Sequence, residues 1–470
     1  MKISFSNKDI KKAPAGYTRI RIVEDGKTRF IKKGRVETLE IGSKKWAAMT
    51  RRRFILLCRQ IVSTAKQNKI KKIAVQLNKS PFPQLKNIPL AELGAIIAES
   101  FEMANYEFTA YKTKPKEGWN SVDEILMCGN TSPDMQEGFK KGQVIAAAIN
   151  AARDLSNTPG GDMTPKLLAE AAKKAAKGTK IKVKVLGRKE MQRLGMGAVL
   201  GMAKGSSEEP QFIIAEYWGT SKKEKPVVLV GKGVTFDTGG LQIKGDSHMY
   251  EMHMDMSGGA AAIHATVLAA KLKLKANVVA LVPAVENSPG GNAVRPGDVL
   301  TSLSGKTIET LHTDAEGRVI IADGITYAKR YNPAMVVDVG TFTGASLIAL
   351  GEQASAFMTN EQGLNIADYM HLAEESGDYI WPLPLWEEYD YIVKGHFADV
   401  PNIPAEGNSR YAGVIGGGKF LELFAKELEC PWIHIDMAPR MTAHSKEFLS
   451  KGAAGAPVRF LLKLIEKHAH

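Results

Sequence analysis

Four acidic side chains stand directly after aliphatic runs: Asp237 in "VVLVGKGVTFDTGGLQIKG", Asp255 in "MYEMHMDMSGGAAAIHA", and Asp314 and Glu316 in "LHTDAEGRVIIADG". Packed together without partners, such carboxylates would repel one another and shift in pKa, because a buried charge needs a countercharge. Two divalent cations bridged by carboxylates would satisfy all four. A paired-metal site of that kind polarises a carbonyl while delivering a bound hydroxide, which makes hydrolysis the chemistry to look for. Lys232 and Lys244 in the first stretch and Arg318 in the third complete a set of seven charged residues.

Any one of these acids taken alone is explained as well by a solvated loop or a helix cap; only the set points to bound cations. Gly239 and Gly240 allow backbone geometries that a side chain would forbid, so their loop can bend tightly around something small. Phosphate is the first candidate for such a loop, but the pattern GxxxxGK[ST] is absent, and the near match "SGKT" at Ser304 to Thr307 has Leu300 where its first glycine should stand. A two-metal phosphoesterase is the competing hydrolase, disfavoured by the lack of a basic clamp beyond Lys244 and Arg318. Of ten histidines, His253 and His312 stand within two residues of the acidic side chains of these motifs, where they read as packing or outer-layer residues. Oxygen donors suit Mn²⁺ and Mg²⁺, and Zn²⁺ also accepts carboxylates, so the ligand types leave the metal open.

The elements that must position these residues follow from the hydrophobic pattern. From about residue 165 onward, the runs "VVLVG", "NVVALVPA", "AMVVDVG" and "WIHIDMA" alternate with helical stretches such as "AAAIHATVLAAKLK", "RVIIADGITYAKRY" and "KFLELFAKEL". Strands apolar throughout that alternate with helices indicate a mostly parallel or mixed central sheet flanked by helices, an α/β fold whose ligands gather at the carboxyl ends of the strands. The polar motifs do follow the aliphatic runs. Residues 1–130 mix strand-like pieces ("KKIAVQL", "YEFTAYK") with helix-like ones ("LAELGAIIAESFEMANY"), which predicts a small N-terminal α/β domain. Residues 131–160 read as a linker helix stopped by "TPGGDMTP", and 161–470 as the larger domain that carries the motifs.

The formal charge of +13 over 470 residues is unevenly placed. Residues 1–100 hold 23 Lys and Arg against 7 Asp and Glu, and the remainder 40 against 43. Such asymmetry can mark an additional DNA-binding or regulatory role for the basic N-terminal domain, although a Lys-rich face is commonly only a solvated one. The cluster "RRRF" at Arg51 to Phe54 opens an amphipathic helix running to about Lys66. Three scattered cysteines, Cys58, Cys128 and Cys430, suggest neither a disulfide framework nor a thiolate zinc site, and a reducing compartment fits. The opening residues lack the apolar core of a secretory signal, and no run is long enough for a membrane span, so the expectation is a cytoplasmic protein without membrane attachment.

"HTDAEGRV" resembles the NTDAEGRL signature of the leucyl aminopeptidases, the cytosol aminopeptidase family of two-metal exopeptidases. "GKGVTFDTGG" and "EMHMDMSGGAAA" are similar to that family's two metal-binding loops, "RDLSNTPGGDMTP" to the segment opening its catalytic domain, "TFTGASLIALG" to its substrate-pocket loop, and "PWIHIDMAP" and "KGAAGAPVRFLLKLI" to its closing strand and final helix. The likeness runs in order from about residue 150 to the C-terminus, and the first 130 residues match no motif.

The resemblance implies one metal ion held by Lys232, Asp237, Asp255 and Glu316 and a second by Asp237, Asp314 and Glu316, the pair being Mn²⁺ or Zn²⁺ in each subunit. It further implies Lys244 as the stabiliser of the oxyanion and Arg318 as the holder of a bicarbonate base, a planar anion for a planar guanidinium. Met252, Thr341, Gly344, Ala438 and Met441 would line the pocket for the first side chain, leucine-like with broad tolerance. Peptides would be the substrates and a homohexamer the assembly. Three residues depart from the pattern: His312 replaces an asparagine, Gly245 a proline, and His253 a lysine or arginine.

Overall fold

A computed structural model of the chain describes residues 1–77, 79, 81–129, 131–360, 365–405 and 411–469. The chain divides into two units, one of Met1–Asn150 with Ala443–Lys451, the other of Ala151–Thr442 with Gly452–His470. The long helix Pro133–Asn157 carries the chain from the first into the second.

In the first unit a six-stranded sheet runs in the order Lys2–Ser6, Glu124–Cys128, Lys72–Val75, Thr18–Glu24, Val36–Ser43, Arg29–Lys33, parallel except for the last pair. The helix begun by the arginine cluster spans Arg51–Gln67, with the Thr50 hydroxyl accepting from the Arg53 N–H as its N-terminal cap. Phe54, Leu57, Cys58, Ile61 and Val62 form its buried stripe, packed against the helix Leu90–Asn105. One strand expectation fails: Tyr106–Lys112, "YEFTAYK", forms no strand. The ammonium of Lys66 takes the carbonyls of Ala104, Asn105 and Tyr106, so the chain leaving the helix is tied down locally instead of joining the sheet.

The second unit is built on a mixed sheet ordered Ile380–Pro382, Ser355–Thr359, Trp432–Asp436, Met335–Gly340, Val227–Gly231, Asn277–Asn287, Gln211–Trp218, Lys182–Leu186. Gly233–Asp237 pairs with Asn277–Asn287 beyond the end of Val227–Gly231. The four central strands, from Trp432–Asp436 to Asn277–Asn287, are mutually parallel, as continuous aliphatic runs predict. Every residue of Val227–Gly231 and Met335–Gly340 is buried, each aliphatic side chain contributing roughly 1.5–3 kcal/mol of transfer free energy.

The helix Ser257–Lys271 packs on these strands beside Val458–Lys467, and the helix Glu316–Ala328 packs on the same strands beside Gly413–Ala425. Ser257–Lys271 meets the sheet backbone to backbone: a Cβ on Gly258 would lie 2.2 Å from the Val339 carbonyl oxygen, so only glycine fits there. A small third sheet joins Val299–Thr301, Thr307–Glu309 and Val400–Pro401. Residues 302–305 form its hairpin turn, so the near match to a phosphate loop leads into a strand and precedes no helix. No described helix is long and apolar enough to cross a membrane.

Candidate active site

Lys232 leaves the end of the central strand Val227–Gly231, with its N–H bonded to the Val339 carbonyl and its carbonyl taking the Gly259 N–H. Its side chain runs against the first turn of Glu316–Ala328, where a Cβ on Gly317 would stand 2.7 Å from Lys232 Cε. The glycine of "DAEGR" is therefore the space that lets the ammonium reach its partners. Lys232 Nζ lies 2.7 Å from Asp255 Oδ2, 2.8 Å from Glu316 Oε1 and 2.6 Å from the Thr341 carbonyl.

Asp237 closes the strand Gly233–Asp237, and its Oδ1 accepts from the Gly239 N–H at 2.9 Å and from Asn287 Nδ2 at 2.8 Å. Gly239 and Gly240 turn the chain at φ +87° and +69° and bring Lys244 back, with Nζ 2.7 Å from Asp237 Oδ2 and in contact with Asp314. The loop is locked to the third motif through Thr313. Its N–H donates to Gln242 Oε1, its hydroxyl accepts from the Gln242 N–H, and that hydroxyl donates to the Gly239 carbonyl.

The carboxylates of Asp237, Asp255 and Glu316 each offer an oxygen within 4.8 Å of the others, and all three residues are buried. Four carboxylates, Asp314 included, face two ammonium groups, so the site is short of positive charge by two. Burial first, and the neighbouring carboxylates second, push Asp255 well above the usual aspartate range, and Asp237 is raised by burial and by Asp314. Burial works to lower Lys232 and Lys244, yet the surrounding carboxylates hold both above the lysine range. All-oxygen donors in a buried, anion-rich cluster are the chemistry of a divalent-cation site.

Lys232, Asp237, Lys244, Asp255, Asp314 and Glu316 line one cavity of about 520 Å³, together with Met252, Thr341, Gly344, Ala438 and Met441. Arg318 lies in the first turn of Glu316–Ala328, 7% exposed, outside that lining. Its Nη1 donates to the Asn402 carbonyl at 2.9 Å, and burial lowers its guanidinium to about 10.

The three departures have local explanations. His312 Nδ1 accepts the Asp314 N–H at 3.2 Å, the same two-residue turn that an asparagine side chain makes. Gly245 sits at φ −65°, ψ 153°, where a proline would also sit, so the glycine frees the loop without changing its path. His253 lies on the short 3₁₀ turn Met252–Met254, and burial lowers its imidazole.

Asn287, Thr313 and Asn402 were not foreseen. Asn287 and Thr313 hold Asp237 and the glycine loop, and Asn402 accepts from the Leu311 and His312 N–H groups. Asn287 ends a strand on the side where ligands gather, which is a faint signal. Asn402 follows the two-residue strand Val400–Pro401 and has none.

The profile of the cytosol aminopeptidase family, catalytic domain, matches residues 150–462. A probable cytosol aminopeptidase of Nitrosococcus oceani is 43% identical over 389 residues, 82% of this chain and 75% of the relative. One of Saccharophagus degradans is 39% identical over 445 residues, 93% of this chain and 86% of the relative. Among solved structures, the bottromycin maturation enzyme BotP aligns with a TM-score of 0.82 at 26% identity, covering 96% of this chain and 99% of that one. The same enzyme in complex with Mn aligns at 0.83 and 26% identity, covering 97% and 100%. The chain belongs to the cytosol aminopeptidase family of hydrolases.

Proposed function

We propose that this aminopeptidase releases leucine-like N-terminal residues, with broad tolerance, in a site where Lys232, Asp237, Asp255, Asp314 and Glu316 hold two divalent cations. The observation that carries the reading is the buried cluster of Asp237, Asp255 and Glu316 around Lys232, short of positive charge and open to a cavity at the strand ends. Two cations bound there, Mn²⁺ or Zn²⁺, would polarise the scissile carbonyl, activate water and take the substrate's free amine. Lys232 serves as a ligand only as a neutral amine, which fixes its role as distinct from that of Lys244. Lys244 remains an ammonium, aimed by Asp237 and Asp314, and stabilises charge developing on the carbonyl oxygen. Arg318 presents a planar fork suited to bicarbonate, which would accept the proton of the attacking water. Met252 and Met441 give the pocket adaptable apolar walls, with Thr341, Gly344 and Ala438 completing it.

Release of leucine from a leucyl chromogenic amide, with Mn²⁺ or Zn²⁺ added, tests the reading. Turnover that disappears in Asp237→Ala is expected; turnover no greater than that variant's, with both metals and across a panel of amino acids, would overturn it. Catalysis is assigned to residues 161–470, beyond a linker at 131–160, in a cytoplasmic homohexamer whose size sedimentation reads directly. The charge excess of residues 1–100 supports a second role for the N-terminal domain, holding duplex DNA; salt-dependent retention on DNA that survives deletion of residues 1–130 would count against it.

A further inference from the structure

We propose that Asn402 is a positioning residue for the hydrolytic site, a clamp that fixes the approach to Asp314 and Glu316 and the guanidinium of Arg318 together. The inference rests on the roles proposed above for those three residues.

Asn402 is fully buried. Its Oδ1 accepts from the N–H groups of Leu311 at 2.8 Å and His312 at 3.1 Å, and its Nδ2 donates to the His312 carbonyl at 2.6 Å. Its own N–H donates to the Glu309 carbonyl at 2.9 Å, extending the parallel pairing of Ile308 and Glu309 with Val400 and Pro401. Its carbonyl accepts from Arg318 Nη1. One residue therefore grips the chain just before the acidic pair and the arginine just after it. Glu309 secures the other end of the same segment, because its Oε2 accepts from the N–H groups of His396 and Phe397.

The chemistry calls for a primary amide. Two N–H donors and one carbonyl must be met by a single short side chain, which asparagine does with one oxygen and one NH₂ group. Aspartate keeps the acceptor, loses the donor and sets a charge against the His312 carbonyl. Serine cannot span all three partners. Partners that orient metal ligands in this way are typically worth about 10–100-fold in metal affinity or activity.

The test compares Asn402→Asp and Asn402→Ser with Asn277→Asp in the full-length protein. Asn277 is a buried amide of the same kind, accepting from the Thr220 N–H and donating to the Ser221 and Glu224 carbonyls, and it lines no part of the candidate cavity. Two readouts are taken: kcat and KM on a leucyl amide, and the Mn²⁺ concentration giving half of the metal's thermal stabilisation. The Asn402 variants are expected to lose about 10–100-fold in kcat with KM within about threefold, and to need about tenfold more Mn²⁺. Asn277→Asp should lower the melting temperature comparably while leaving both readouts near wild type. Asn402 variants that shift neither readout further than Asn277→Asp would overturn the proposal. If the wild type fails to cleave any aminoacyl amide, the aminopeptidase site reading falls, and the Mn²⁺ midpoint still decides whether Asn402 organises the acidic cluster. Asn402→Ser decides the matter if the charge of Asn402→Asp prevents folding.

Discussion

The two units handle charge in opposite ways. In the first, Arg21 and Arg29 reach Glu40 from the sheet surface with their side chains 69% and 67% exposed, and Lys32 meets Glu37 in water. In the second, Lys232 and Glu316 are paired with side chains 3% and 2% exposed, and Lys244 is 13% exposed against Asp237. The first hundred residues carry more positive charge than the chain as a whole nets, yet the slightly acidic remainder carries the site. Net charge measures what solvent can neutralise; chemistry collects where burial stops solvent from doing so.

Substitutions at four positions break or sharpen that contrast. Lys244→Ala removes a buried, aimed cation, and kcat on a leucyl amide should fall about 10²–10³-fold. His312→Leu takes away the acceptor for the Asp314 N–H and should cost about 10-fold or more, whereas His312→Asn restores it and should stay within about threefold of wild type. A wild-type rate in His312→Leu would show that the turn holds without it.

His264 reads the same contrast as stability. Burial holds its imidazole down at about 4, below its ordinary value of 6.5. Between those values the unfolded chain takes up a proton that the folded chain refuses, so stability is full above pH 6.5 and is lost as pH falls toward 4. At pH 5 the loss from this one group is about 2 kcal/mol, and thermal melts of His264→Leu should show a correspondingly flatter decline between pH 7 and 5. The smallest effect belongs to the first unit. Arg21→Ala leaves Arg29 on Glu40 and should change unfolding free energy by about 1 kcal/mol or less, and less still at high salt.

The seven charged residues were legible because each follows a strand or opens a helix whose own pattern is strong. "VVLVG" announces a buried strand, and Lys232 and Asp237 lie just past its end. The first unit was harder to read because its strands are half exposed. Thr18–Glu24 alternates isoleucines with arginines, and Arg29–Lys33 is an edge strand with three charged residues among its five. Tyr106–Lys112 has strand-like residues, but Lys66 ties its start to the end of the helix Leu90–Asn105. Asn402 was invisible for another reason: its partners lie about ninety positions earlier, and the two-residue strand that delivers it has no periodicity.

The strand Trp432–Asp436 lies inside the sheet, between Ser355–Thr359 and Met335–Gly340, although it is the last strand of the chain. During synthesis from the N-terminus, the acidic cluster and its lysines emerge long before the strand that completes the sheet beneath them. Ala438 and Met441, which line the cavity, come later still. A pairing of such long sequence separation forms late. The cavity is thus closed by residues that lie far along the sequence from the carboxylates it encloses, so its shape depends on the sheet being complete.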